Sequence, residues 1–245
     1  MTSPALRFPA LLTVTGHLQA VALAVRLSPH YVLVSVAPEQ AERVVARWLL
    51  RYPELNASAR DRTVVRRLGY PAPVLLIGQS HGQVTLLLLS NMVPPDERWQ
   101  RETWRDVRDP ATPLEWHGYV LKEREDGGWT WSIAPTTLIT ARHAISEVIL
   151  DPRRSTTGAQ EKLAAHFLVL SRYPGLHGVR VGLFDLQRHA QRQWQMHRQR
   201  PAQRRGELVG DLQLPPIPYV RQVARKGKTL GELLTRLAST SGDTS

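Results

Sequence analysis

Arg26, His30 and Tyr31 stand close together in "VRLSPHYVL". These side-chain types cover what metal-free phosphodiester cleavage needs. One is a base for the attacking hydroxyl, one an acid for the leaving oxygen, and one a cation over the charged transition state. Arg26 lies in an apolar run, where burial calls for a partner or a bound anion. Arg26, His30 and Tyr31 are therefore the candidate catalytic residues. His17 and His81 belong to the same chemical class, though each also reads as an ordinary surface or turn histidine. No metal is expected. The nine histidines contain no His-x-x-x-His pair. The chain has no cysteine, which excludes disulfides, thiolate zinc sites and cysteine nucleophiles. It also lacks a G-x-S-x-G elbow, a Walker loop and a dinucleotide fingerprint, so no cofactor is expected.

A second group of residues is suited to binding. "LQRHAQRQWQMHRQRPAQRR", residues 186–205, holds Arg188, Arg192, Arg198, Arg200, Arg204 and Arg205 and no acid. Arg221, Arg225, Lys226 and Lys228 follow. Residues 186–231 thus carry ten basic and two acidic residues, a net of +8 in a chain whose formal charge is +11. A localised excess of this size points to a polyanionic partner, because each phosphate neutralised releases condensed counterion. On a regular α-helix, Arg188, Arg192, Gln195 and Gln199 share a face. The apolar residues are few, namely Leu186, Ala190, Trp194 and Met196. The segment therefore reads as a projecting helix with little core to dock on. Arginine interleaved with Gln, His and Trp suits RNA, since guanidinium planes stack on unpaired bases and pair with phosphate. Duplex DNA remains open. An anionic membrane does not fit, because no apolar face opposes the charges. Arg180, just upstream, joins the same binding set.

The elements that must position these residues follow from pattern. The chain has 245 residues and 42% hydrophobic content, enough for a sizeable core. "AVALAVRL" and "YVLVSVA" read as strands. "PEQAERVVARWLLRYP" reads as a helix, with Pro38 in its first turn and Pro53 as its stop. "TVVRRLG" suggests a further strand. Val74–Ile77 and Val84–Leu89 flank Gln79-Ser80-His81-Gly82 as a hairpin. A short helix is expected over Asp96–Val107. A Trp-rich hairpin from Trp116 to Trp131 turns at Asp126-Gly127-Gly128. "TTLITARHAISEVIL" is ambiguous between strand and helix, with Thr140 a possible cap. "GAQEKLAAHFLVLSRYP" reads as a helix with Leu163, Ala164, Phe167 and Leu168 inward. "VRVGLF" reads as a strand, with Gly175, Gly178 and Gly182 forming a turn or a loop that lets a backbone approach a ligand. "LQLPPIPYV" is an extended connector, and a last helix spans Thr229–Leu237. The fold class expected is α+β, with two ferredoxin-like (RRM-like) halves and an arginine-rich helical finger. The parts are 1–95, a Trp-rich insertion 96–160, and a second α/β half 161–245. No run of about 18 apolar residues occurs and no signal peptide is apparent, so a cytoplasmic protein is expected.

This layout resembles the repeat-associated RNA-processing proteins of CRISPR systems. It is most similar to the type IV crRNA-processing endoribonucleases, which carry an arginine-rich helical finger. The resemblance rests on the "YVLVSVAPEQAERVVARWLLRYP" and "PVLLIGQSHGQVTLLLLSN" half, on "GLHGVRVG", and on the arginine stretch. It implies binding of a repeat hairpin, metal-independent cleavage beside the stem, and retention of the product with other subunits in a ribonucleoprotein. The family has a longer glycine-rich loop than Gly175–Gly182, so no catalytic residue carries over from it. The alternatives are a non-catalytic nucleic-acid-binding accessory protein of a mobile element and a ribonucleoprotein scaffold subunit.

Overall fold

The computed structural model describes residues 3–217 and 228–242. The described chain forms two compact units: residues 3–117, 123–129 and 228–242 make one, and 118–122 with 130–217 the other. They are interleaved in sequence. The α+β class holds, and the described sheet pairings of the first unit are all antiparallel.

The first unit opens with β1 (Pro9–Ala10) and α1 (Val14–Ala24). The apolar run expected as a strand is thus a helix. Its N-terminus is fixed by Thr13, whose hydroxyl accepts from the Gly16 N–H at 3.1 Å. β2 (His30–Val36) and α2 (Pro38–Arg51) form as expected. α3 (Ala59–Arg67) replaces the strand expected at "TVVRRLG". Ser58 and Asp61 close a reciprocal capping box at its start. β3 (Val74–Ser80) and β4 (Gln83–Ser90) make the expected hairpin. Its two-residue turn has positive φ at both His81 and Gly82, the backbone that matches strand twist. α4 is only Glu97–Gln100, one turn of the longer helix expected there. β5 (Arg105–Asp106) and β6 (Glu115–Trp116) follow.

The main sheet runs β3-β4-β2-β5. Each neighbouring pair in it, β3–β4, β4–β2 and β2–β5, is antiparallel. β4 is central and apolar along both faces. Val84, Leu86 and Leu88 pack with Ala41, Val45 and Trp48 of α2 in the main core cluster. Thr85, Leu87 and Leu89 fill the other face and are equally buried.

The second unit begins at the hairpin of β7 (Tyr119–Glu123) and β8 (Trp129–Ile133). α5 (Pro135–Leu150) resolves the ambiguous segment as a helix, with Pro135 at its first position and Thr140 in its interior. α6 (Thr156–Leu170) buries Leu163 and Phe167, while Leu168 is exposed. α7 (His177–Trp194) absorbs "VRVGLF", so this half is largely helical. A π-turn over Gln195–Gln199 and α8 (Arg200–Arg204) continue it. β9 (Lys228–Thr229), paired with β1, and α9 (Leu230–Gly242) return to the first unit.

Candidate nucleic-acid interface

The arginine helix is docked along its length and does not project. Its buried positions step by four: Gly178, Gly182, Leu186, Ala190 and Trp194, then Ala202 after the π-turn. The last four expose at most 1% of their surface. Where α7 starts, glycine is needed for close packing. A Cβ at Gly178 would stand 2.5 Å from Ser132 Oγ and 2.6 Å from the Trp131 carbonyl oxygen. Gly178 and Gly182 therefore sit inside α7 where it packs closely on its neighbours, and not in a ligand loop.

A step of four drifts by roughly 40° per step on an α-helix of 3.6 residues per turn. The π-turn uses more residues per turn and takes up part of that drift. Arg198 lies inside this turn and is held by backbone. It donates to the carbonyls of Ile149 at 2.7 Å, Asp151 at 2.8 Å and Arg154 at 3.0 Å. Those groups lie at and just past the C-terminal end of α5, where unpaired carbonyls and the helix dipole favour a cation. The charge pattern places Arg198 among the RNA-binding residues, but its geometry makes it an internal cap.

Opposite the buried row lies a second row, also stepping by four: Arg188, Arg192, Met196, Arg200 and Arg204. All five are exposed. The row continues upstream through Phe184, 45% exposed, to half-buried Arg180. Arg188 pairs with Asp185. Arg205, off the row, pairs with Glu207 at 3.0 Å. Among the described residues, no ion pair engages Arg192, Arg200 or Arg204. His189 faces inward instead, with Nε2 3.1 Å from Ser146 Oγ, and burial lowers its pKa.

The segment after α8 runs back along the helix and satisfies its polar groups. Trp194 Nε1 donates to the Gly210 carbonyl at 3.1 Å. Gln199 reaches Asp211 at 2.9 Å, and Gln187 reaches the Pro215 carbonyl at 2.9 Å. Lys228 belongs to the first unit, with its ammonium 4.0 Å from Glu232. Arg221, Arg225 and Lys226 lie outside the described residues.

The proposed catalytic residues fall in different surroundings. Arg26 lies in the exposed turn after α1, beside a cleft lined by Arg124, Asp126 and Trp129, and is not buried in a strand. His30 and Tyr31 are successive residues of β2, so they point to opposite faces. His30 Nδ1 is 3.7 Å from Asp106 Oδ2. Tyr31 is buried, donates to the Thr112 carbonyl at 3.1 Å, and has its pKa raised chiefly by burial. Among the described residues, the three share no common hydrogen-bond or ion-pair partner. Among the described residues, no three His, Asp or Glu side chains gather in a metal-holding group. No helix among them is long and apolar enough to cross a membrane.

Sequence reasoning missed His117, which shares Trp116 with His17 and lies near His81. Its signal was slight: a lone "WHG" at the start of the Trp-rich segment. Comparison with protein-family models, with curated proteins and with solved structures yields no match to this chain.

Proposed function

We propose that the chain binds RNA through the exposed row on α7 and α8 and acts as a subunit of a cytoplasmic ribonucleoprotein. The observation that carries this reading is that Arg192, Arg200 and Arg204 stand on one exposed row, unpaired among the described residues, of a helix whose opposite row is buried. A helix backbone fixed on its buried side presents the three cations together and leaves their guanidinium groups open to phosphates. Phe184 and Met196 interleave with the arginines. That mixture of flat apolar surface and cations suits unpaired bases beside a charged backbone, and it favours RNA loops over duplex DNA.

The family resemblance adds cleavage of a structured precursor without a metal. Arg26, His30 and Tyr31 lend that step no support as a joint site, so the function proposed is binding. The test is titration of a labelled RNA hairpin in EDTA, with duplex DNA as competitor. Tight binding of the hairpin, resistant to duplex, is the expected result. Displacement by equimolar duplex DNA would replace the RNA reading with a DNA-binding one. Cutting of the hairpin in EDTA would restore the endoribonuclease.

A further inference from the structure

The end of the β3–β4 hairpin holds a second arrangement, built from residues outside the arginine row. Ser80 closes β3, and His117 follows β6. The His117 ring is fixed on two sides: Nε2 lies 2.9 Å from the Gln79 carbonyl oxygen, and Nδ1 lies 3.2 Å from Ser80 Oγ. A carbonyl can only accept, so Nε2 carries the hydrogen. Nδ1 then offers its lone pair and accepts the hydroxyl proton of Ser80. The result is a hydroxyl, an imidazole base, and a carbonyl that fixes the base's tautomer and orientation. That is the order of parts in an activated nucleophile.

Three further observations agree. Burial is the main cause that lowers the His117 pKa, which keeps the ring neutral at physiological pH. His117 (φ 54°), outside any hairpin turn, occupies the left-handed region, a strain that functional sites tend to hold. The N–H of His81 directly follows the hydroxyl residue, where serine hydrolases place an oxyanion donor. It enters no hydrogen bond outside the hairpin ladder among the described residues. No Arg or Lys partners Ser80, His81 or His117 among the described residues. A phosphoryl group in transfer calls for such a cation, whereas an acyl group does not.

We propose that Ser80 is a nucleophile, with His117 as its general base, for hydrolysis of small carboxylic esters. Ser80 Oγ attacks the ester carbonyl carbon and its proton passes to His117 Nδ1. A C–O bond to serine forms, the bond to the leaving alcohol breaks, and the proton on His117 goes to that alcohol. Water then repeats the sequence on the acyl-serine, giving the acid and free Ser80. Nothing is oxidised or reduced, and water is the only co-reactant.

The experiment incubates the full chain with p-nitrophenyl acetate and, separately, with a fluorophosphonate, then maps adducts by peptide mass. Expected are a burst of p-nitrophenol and a single adduct on Ser80. Ser80→Ala should abolish both. His117→Asn, chosen because Asn tolerates left-handed backbone, should slow labelling by about a hundredfold or more while circular dichroism stays unchanged. Absence of an adduct on Ser80 in the unaltered chain overturns the proposal, and this readout needs no variant to fold. Labelling of folded His117→Asn at the unaltered rate overturns it as well.

Discussion

His17 sits against Gly78 and edge-on to Trp116, with 1% of its surface exposed and neither ring nitrogen hydrogen-bonded among the described residues. Burial, with a smaller contribution from His117, lowers its pKa from 6.5 to about 3. The unfolded chain therefore binds a proton near pH 6.5 that the folded chain refuses until about pH 3. Its contribution to stability is whole above pH 6.5 and is lost as pH falls through that window. Between pH 6.5 and 5 the loss should be about 2 kcal/mol. Urea unfolding at the two pH values measures it, and His17→Leu should flatten the dependence. Arg198 is the other residue whose role is internal. Arg198→Ala leaves three carbonyls around the end of α5 without their donor and should cost about 2–3 kcal/mol in urea unfolding. Arg192→Ala, on the solvent side, should stay within about 0.5 kcal/mol. The arginine stretch looks uniform in sequence because all six arginines are chemically alike. Only the backbone at Ile149, Asp151 and Arg154 separates Arg198 from the others.

At the scale of elements, α7 depends on glycine where it crosses β8. Gly178→Ala puts a methyl into Ser132 Oγ and the Trp131 carbonyl, and should cost about 1–3 kcal/mol. Gly210→Ala, which faces open space, is the matched control and should be near neutral. Thermal unfolding of the two variants side by side checks this. α2 and the β3–β4 hairpin are legible in sequence because period, cap and turn signals agree: Pro38 and Pro53 bound one, and His81-Gly82 turns the other. α1 and the start of α7 are not. "AVALAVRL" and "VRVGLF" are rich in Val and Leu, and a short apolar run does not separate strand from helix. Better signals are present in Thr13 and in the Ser58-x-x-Asp61 capping box. Regular 3.6-residue spacing along the arginine helix groups Arg188 with Gln195 and Gln199. The π-turn shifts that phase and groups Arg188 and Arg192 with Arg200 and Arg204 instead. A π-turn has no composition signature, so the row cannot be drawn from sequence alone.

At the scale of the whole molecule, charge is the most legible property. An excess of +11, mostly confined to residues 186–231, is visible without any fold. How it is used is not visible there. Arg198 serves the interior, Arg188 and Arg205 have acidic neighbours, and Lys228 belongs to the other compact unit. The cations left for a polyanion are therefore fewer than the count suggests, and Arg188, Arg192, Arg200 and Arg204 share one exposed row. The direct test is the salt dependence of hairpin-RNA binding, comparing the unaltered chain with Arg188, Arg192, Arg200 and Arg204 all changed to Gln and Arg198 left in place. If the row grips phosphates, the slope of log affinity against log salt should shrink by roughly 2–3, at about 0.7 for each phosphate no longer neutralised, with the unfolding transition unchanged. An unchanged slope in the folded variant would contradict the account.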